Sequence, residues 1–214
     1  MHKESSLQIN GYGGQPVSNR FYRQEQDTAD LSIVLPGYNP PLINPALYYI
    51  SQTVLNKRSD LLQIEHEYYK INKPEENEML ERLYGDTLAA CKVALTQRNY
   101  KRIFIIGKSL GTRAMAYLLN DDRLREAECV WLTPLLTQEY LQSQIILHKP
   151  RSLFIIGTAD QYYREEYMSE LIEATGGESL VIDEMNHGLN VSGNVQASID
   201  VLSRIITRVS DFLS

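Results

Sequence analysis

The chain reads as an α/β protein, a three-layer α/β/α sandwich built on a mostly parallel central sheet. Two observations predict this. Short runs without polar alternation recur at Leu31 to Leu35, Ile103 to Ile106 and Ser152 to Ile156. Strands apolar on both sides belong in a sheet covered above and below. Between these runs lie segments with apolar residues at helical spacing. Alternating strands and helices imply parallel neighbours joined by right-handed crossovers. With 214 residues, 43% of them hydrophobic, the chain has enough apolar material for one such domain spanning residues 1–214.

The elements follow in order. Leu7 to Asn10 and Arg20 to Gln24 are expected as two short strands joined by the loop Gly11 to Pro16. Leu31 to Leu35 is a strand ending in Pro36-Gly37-Tyr38-Asn39-Pro40-Pro41. Ile43 to Leu55 is expected as a helix, and Asp60 to His66 as the next strand. Pro74 and the acidic pair Glu75-Glu76 open a long helix whose Leu80, Leu83, Leu88, Cys91 and Leu95 share a face. Cys129 to Thr133 is a strand and Gln138 to Leu147 a helix. Ser152 to Gly157 is a strand ending in Thr158-Ala159-Asp160, and Arg164 to Ala174 a helix. Gly176-Gly177 stops that helix, and Leu180 to Ile182 is the last strand. In the C-terminal helix Val195, Ile199, Leu202, Ile206, Val209 and Leu213 step by four and three, which predicts a buried stripe.

The most informative stretch is Ile103 to Thr112. A strand breaks at once into Gly107-Lys108-Ser109-Leu110-Gly111, and a helical pattern follows. Strand, sharp turn with serine at its apex, then helix is the context a G-x-S-x-G nucleophile turn requires. The serine must stand clear of the sheet at a strained backbone angle, and its glycine neighbours prevent collisions across the turn. The following helix offers free N–H groups and a partial positive charge where negative charge would develop. Gly-Lys-Ser also resembles the end of a phosphate-binding loop. That loop needs a glycine five positions earlier, where Arg102 stands, and the intervening residues are strand.

Bulk charge excludes other classes. A net charge of −6 without a basic stripe argues against nucleic acid as a partner. No apolar run has membrane-spanning length, and Met1 to Ser6 lacks a signal-peptide core. Cys91 and Cys129 are read as buried free thiols, which places the protein in a reducing cytoplasm. No cofactor or metal is expected. Glu65-His66-Glu67 has a metal-like composition, but strand alternation sets His66 on the face opposite both carboxylates. Nothing in the sequence fixes the oligomeric state.

Ser109, Asp160 and His187 each follow a predicted strand, in the order serine, acid, histidine. In open parallel sheets functional groups gather at the carboxyl ends of strands. Through Leu35-Pro36-Gly37-Tyr38, Gly107 to Gly111, Gly157-Thr158-Ala159-Asp160 and Asn186-His187-Gly188, nearly the whole chain resembles the α/β-hydrolase fold family. It is most similar to the small carboxylesterase and dienelactone-hydrolase-like members without a cap domain. Pro36-Gly37 stands where His-Gly is common, and Asn186 where many relatives carry Asp.

The resemblance implies that Ser109 attacks an acyl carbonyl while His187 moves the proton and Asp160 orients the imidazole. It implies an oxyanion hole from the backbone N–H groups of Tyr38 and Leu110. Asp183 and Glu184 are rival acids, but they stand too close in sequence to His187. The strand ending at Thr133 is followed by no carboxylate. Lys108 is expected at the pocket rim. Candidate walls are Asn39, Pro40, Leu135, Leu136 and Tyr162, with Tyr163 and Leu189 beside them. The expected function is a serine hydrolase of small to medium carboxylic esters or thioesters. A non-catalytic binding protein on the same fold, and an acyltransferase or peptidase using the same residues, are the alternatives.

Overall fold

A computed structural model describes residues 1–38, 44–65 and 75–214. Asn39 and Pro40 of the expected pocket wall, His66 and Glu67 of the Glu-His-Glu run, and Pro74 lie outside the described residues. One eight-stranded sheet organises the chain. In chain order the strands are β1 (His2–Ser5), β2 (Asn19–Gln24), β3 (Asp30–Leu35), β4 (Asp60–Ile64), β5 (Arg102–Lys108), β6 (Glu128–Leu132), β7 (Ser152–Gly157) and β8 (Glu178–Ile182). Their spatial order is β1-β2-β4-β3-β5-β6-β7-β8. β1 with β2 and β2 with β4 pair antiparallel, and all remaining pairs are parallel.

The helices are α1 (Pro45–Asn56), α2 (Glu76–Leu95), α3 (Leu110–Leu118), α4 (Glu139–His148), α5 (Glu165–Thr175) and α6 (Val195–Phe212). Alternation along each strand divides the core in two. Ile33, Leu35, Ile105, Cys129, Trp131, Phe154 and Ile156 face α2, α3, α4 and α5. Val34, Ile106, Val130, Leu132, Leu153 and Ile155 face α1 and α6. The arrangement is a three-layer α/β/α sandwich. Among the described residues no helix is long and apolar enough to cross a membrane, and no cluster of three His, Cys, Asp or Glu could hold a metal.

Three expectations need correction. The first strand is His2–Ser5, paired with β2 from His2 opposite Gln24 to Ser5 opposite Phe21. Leu7 to Asn10 forms none; only Asn10 makes an isolated bridge, to Pro16. All four residues of β1 are exposed, so this edge strand carries no apolar pattern to betray it. The last strand starts at Glu178, two residues before Leu180, because it too is an edge and its burial is incomplete.

The third correction concerns α6. Its buried residues are Val201, Ile205, Val209 and Phe212, while Val195 is 77% and Ile199 53% exposed. At about 100° per residue, the buried set is centred roughly 80° around the helix from the predicted stripe. The sequence carries two overlapping apolar faces, and packing against α1 and the sheet selects one of them. The leftover face borders a cavity described below.

Candidate active site

The order of strands reverses at β3, which is flanked by β4 and β5. Here the connections after β3 and β5 leave the sheet in opposite directions and open a crevice. Register places Leu35 opposite Gly107, so the segment after β3 runs beside the β5 turn. A Cβ added at Gly37 would lie 3.3 Å from the Ser109 Cβ and 3.5 Å from the Lys108 carbonyl oxygen. A Cβ at Gly111 would run into the carbonyls of Leu35 and Pro36, and one at Gly107 into Met115 and Gly111. Glycines at 37, 107 and 111 therefore permit the close approach of three backbone segments.

Ser109 occupies φ 52°, ψ −116° immediately before α3. An L-residue there stores of order 1–3 kcal/mol of strain. Its amide donates to the Leu132 carbonyl at 3.0 Å, and its own carbonyl accepts from the Thr112 amide and hydroxyl at 2.9 and 2.6 Å. These bonds hold the turn in its strained state. Among the described residues, the N–H groups of Leu110 and Tyr38 have no hydrogen-bond acceptor.

The structure brings Ser109, His187 and Asp160 together. His187 Nε2 is 2.7 Å from Ser109 Oγ, and His187 Nδ1 is 2.8 Å from Asp160 Oδ2. An ionised carboxylate only accepts, so Nδ1 carries the proton and Nε2 is left to accept from the serine hydroxyl. Asp160 is buried. Its other oxygen, Oδ1, accepts from the Tyr162 amide at 3.0 Å, which fixes the plane of the carboxylate. The Tyr162 ring lies against the imidazole, centroid to centroid 5.1 Å. Asp183, the rival acid, instead accepts from the Thr158 hydroxyl at 2.8 Å.

The loop carrying His187 is braced from within. Asn186 Nδ2 donates to Asn190 Oδ1 at 2.9 Å and to Ser192 Oγ at 3.0 Å, while Asn186 Oδ1 accepts from the Gly188 amide at 2.8 Å. Both donor bonds need the amide; an aspartate at 186 could make neither. This gives the departure at position 186 a physical function.

Lys108 differs from expectation. It is buried, not at a rim, and its ammonium donates to the His187 backbone carbonyl at 2.9 Å. Burial pulls its pKa down to about 8, with the negative charge of Asp160 opposing the shift. Sequence alone pointed outward, because neighbours on a sharp turn diverge; divergence from Ser109 here carries the side chain inward, under the histidine loop.

Leu136 is fully buried within the core that faces α2 to α5, so it offers no surface to a ligand. Leu135 is buried as well. Thr133 was not singled out. It has φ 43° and a buried hydroxyl without a partner among the described residues. Positive φ is unusual for a β-branched residue, and no pattern in the sequence signals it. Ser109, Thr133, Glu184 and Leu189 all have positive φ and all follow strand ends on this edge. Of the six non-glycine residues with positive φ among the described residues, these four lie at this edge, while Arg58 and Lys149 precede β4 and β7.

No family model matches the sequence, and no curated protein matches it. Solved structures do. An esterase from Pyrococcus furiosus superposes with a TM-score of 0.76 at 16% identity, over 99% of this chain and 92% of that one. Est1E from Butyrivibrio proteoclasticus, solved with ferulic acid bound, gives 0.70 at 10% identity over 97% and 98%. A chain described as an alpha-beta serine hydrolase homologue from Coxiella burnetii gives 0.69 at 13% identity over 96% of each. At these identities the likeness is one of fold.

Proposed function

We propose that this chain, which has the α/β-hydrolase fold, is a serine hydrolase of carboxylic esters or thioesters of small to medium size. The observation that carries the reading is the continuous relay from Ser109 Oγ through His187 to Asp160, with links of 2.7 and 2.8 Å. Ser109 Oγ attacks the acyl carbon as its proton passes to His187 Nε2. The carbonyl π bond opens, and its oxygen takes the negative charge towards the amides of Leu110 and Tyr38. Each such donor is typically worth about 3–4 kcal/mol of transition-state stabilisation.

When the tetrahedral intermediate collapses, the bond from carbon to the leaving oxygen or sulfur breaks. His187 gives its proton to that atom, leaving an acyl-Ser109 ester. Water, deprotonated by His187, then reverses the sequence and releases the acid. Asp160 stabilises the imidazolium in both halves without taking its proton. Lys108, through the His187 carbonyl, acts as a positioning residue for the base.

A fluorophosphonate should label Ser109, found by peptide mass mapping, and short p-nitrophenyl esters should be hydrolysed. Absence of label at Ser109 on folded protein overturns the assignment and favours a non-catalytic binding role. An acyltransferase would label but transfer its acyl group to an added alcohol faster than to water.

A further inference from the structure

Beside the histidine loop lies a cavity of ≈ 500 Å³ between the N-terminal ends of α1 and α6. Its apolar lining comes from Ala46, Leu189, Val191, Val195, Ile199 and Leu202. Among the described residues no charged side chain lines it. The side-chain oxygens of its polar neighbours are already engaged within the protein. Asn44 Oδ1 accepts from the Ala46 and Leu47 amides at 3.0 and 3.2 Å, and Asn194 Oδ1 from the Ala197 amide at 3.0 Å. Asn190 Oδ1 accepts from Asn186 at 2.9 Å. The Ser198 hydroxyl accepts from the Val191 amide at 3.0 Å and donates to the Asn194 carbonyl at 2.7 Å. The ligand that fits such a lining is uncharged and mainly apolar.

Position decides which part of a substrate this is. The lining includes Gly188, the residue directly after His187. In acyl transfer the histidine protonates the departing group, so that group lies on the histidine side of the carbonyl, away from the oxyanion donors. We infer that this cavity is the leaving-group subsite, selecting esters of apolar alcohols with unbranched or lightly branched chains. The inference rests on the hydrolase reading and names its substrate class. It also explains the exposed apolar face of α6: Val195 and Ile199, 77% and 53% exposed, are uncovered because the alcohol chain covers them during turnover.

The test compares two ester series. With acetyl fixed and the alcohol lengthened from methyl to octyl, kcat/KM should rise about two- to fourfold per methylene until the cavity is filled. With ethanol fixed and the acyl chain lengthened from acetyl to octanoyl, it should change less than about threefold across the series, far below the per-methylene gain expected on burial. Ile199→Asp, at an exposed helical position, should flatten the alcohol series, with the melting temperature of the variant read alongside as the control for folding. A rise that follows the acyl series, or an alcohol series untouched by Ile199→Asp, overturns the inference. If neither series is hydrolysed and Ser109 takes no label, the hydrolase reading has failed. The subsite is then judged by calorimetric titration with 1-octanol: binding that Ile199→Asp abolishes sustains it, and no binding rejects it.

Discussion

Two buried aspartates stand at opposite edges of the sheet. Asp60 opens β4 at the amino edge and is fully buried. Its Oδ1 accepts from the Gln24 amide at 2.7 Å, and its Oδ2 from Arg98 Nε at 2.9 Å and the Tyr100 hydroxyl at 2.7 Å. Arg98 in turn reaches the Gln24 carbonyl and Asp27. Asp160, beyond β7 at the carboxyl edge, has one backbone amide and one imidazole. At Asp60 a fixed cation and a phenol saturate the charge, and burial together with that carboxylate pushes the Tyr100 hydroxyl well above its ordinary pKa. At Asp160 the chief partner is an imidazole whose other nitrogen meets the Ser109 hydroxyl. The same residue type is a structural pin where its partners lead nowhere further and a candidate catalytic group where one of them passes the contact on to a serine.

The contrast can be broken experimentally. Ser109→Ala should lower kcat/KM by about four to six orders of magnitude, and Asp160→Asn by about three to four, because the amide no longer holds the useful tautomer. Both variants should melt within a few degrees of the parent. Asp60→Ala should do the reverse. Removing the carboxylate leaves the Gln24 amide and the Tyr100 hydroxyl without their acceptor and takes one of the two carboxylates of Arg98. This should cost about 1–3 kcal/mol for each orphaned group in urea unfolding, with kcat per folded molecule unchanged. A catalytic loss at Asp60 comparable to that at Asp160 would erase the distinction.

Lys108→Met sharpens the comparison at an intermediate scale. Losing the tether to the His187 carbonyl should lower kcat about tenfold, an effect of roughly one hydrogen bond, with KM little changed; a pure folding defect would lower active fraction instead. The same variant carries a pH signature. Lys108 titrates at about 8 in the fold against 10.5 ordinarily, so between those values the unfolded chain holds a proton that the folded chain has released. Its contribution therefore depresses stability below pH 8 and recovers by up to about 3 kcal/mol as pH approaches 10.5. Cys91 and Cys129, whose thiols burial pushes up, act oppositely above their ordinary pKa. The difference between parent and Lys108→Met cancels them and should move in the parent's favour from pH 7.5 to 10 in urea titrations. A constant difference would refute the buried-charge account. Tyr38→Ala should have the smallest effect, below about threefold in kcat/KM, since its side chain is 46% exposed and a substitution leaves the backbone donor in place.

The carboxyl edge was the more legible of the two. Central strands announce themselves by unbroken apolar runs, and Ser152–Gly157 has the bounds the sequence predicts. Ser109 and Asp160 could be named because each follows such a strand, and His187 because it follows β8, whose Leu180 to Ile182 remain apolar. The amino-edge network was not foreseen. Asp60, Arg98 and Tyr100 read as ordinary loop and strand-end polar residues, and their meeting depends on β3 pairing in parallel with both β4 and β5, which brings the starts of those two strands to one edge. Edge strands and side-chain direction escaped for the same reason: the choice between faces of α6, and the inward course of Lys108, are made by tertiary packing and not by local pattern.

The Lys108 contact has a mechanical consequence. The residue bonded covalently to Ser109 also grips the main chain of His187 through its ammonium. The proposed nucleophile and base are thus moored to each other twice, once through their own hydrogen bond and once through this arm. Two such ties should make the turn and the histidine loop move together, so that the spacing proton transfer would depend on is better kept than between independently hung loops.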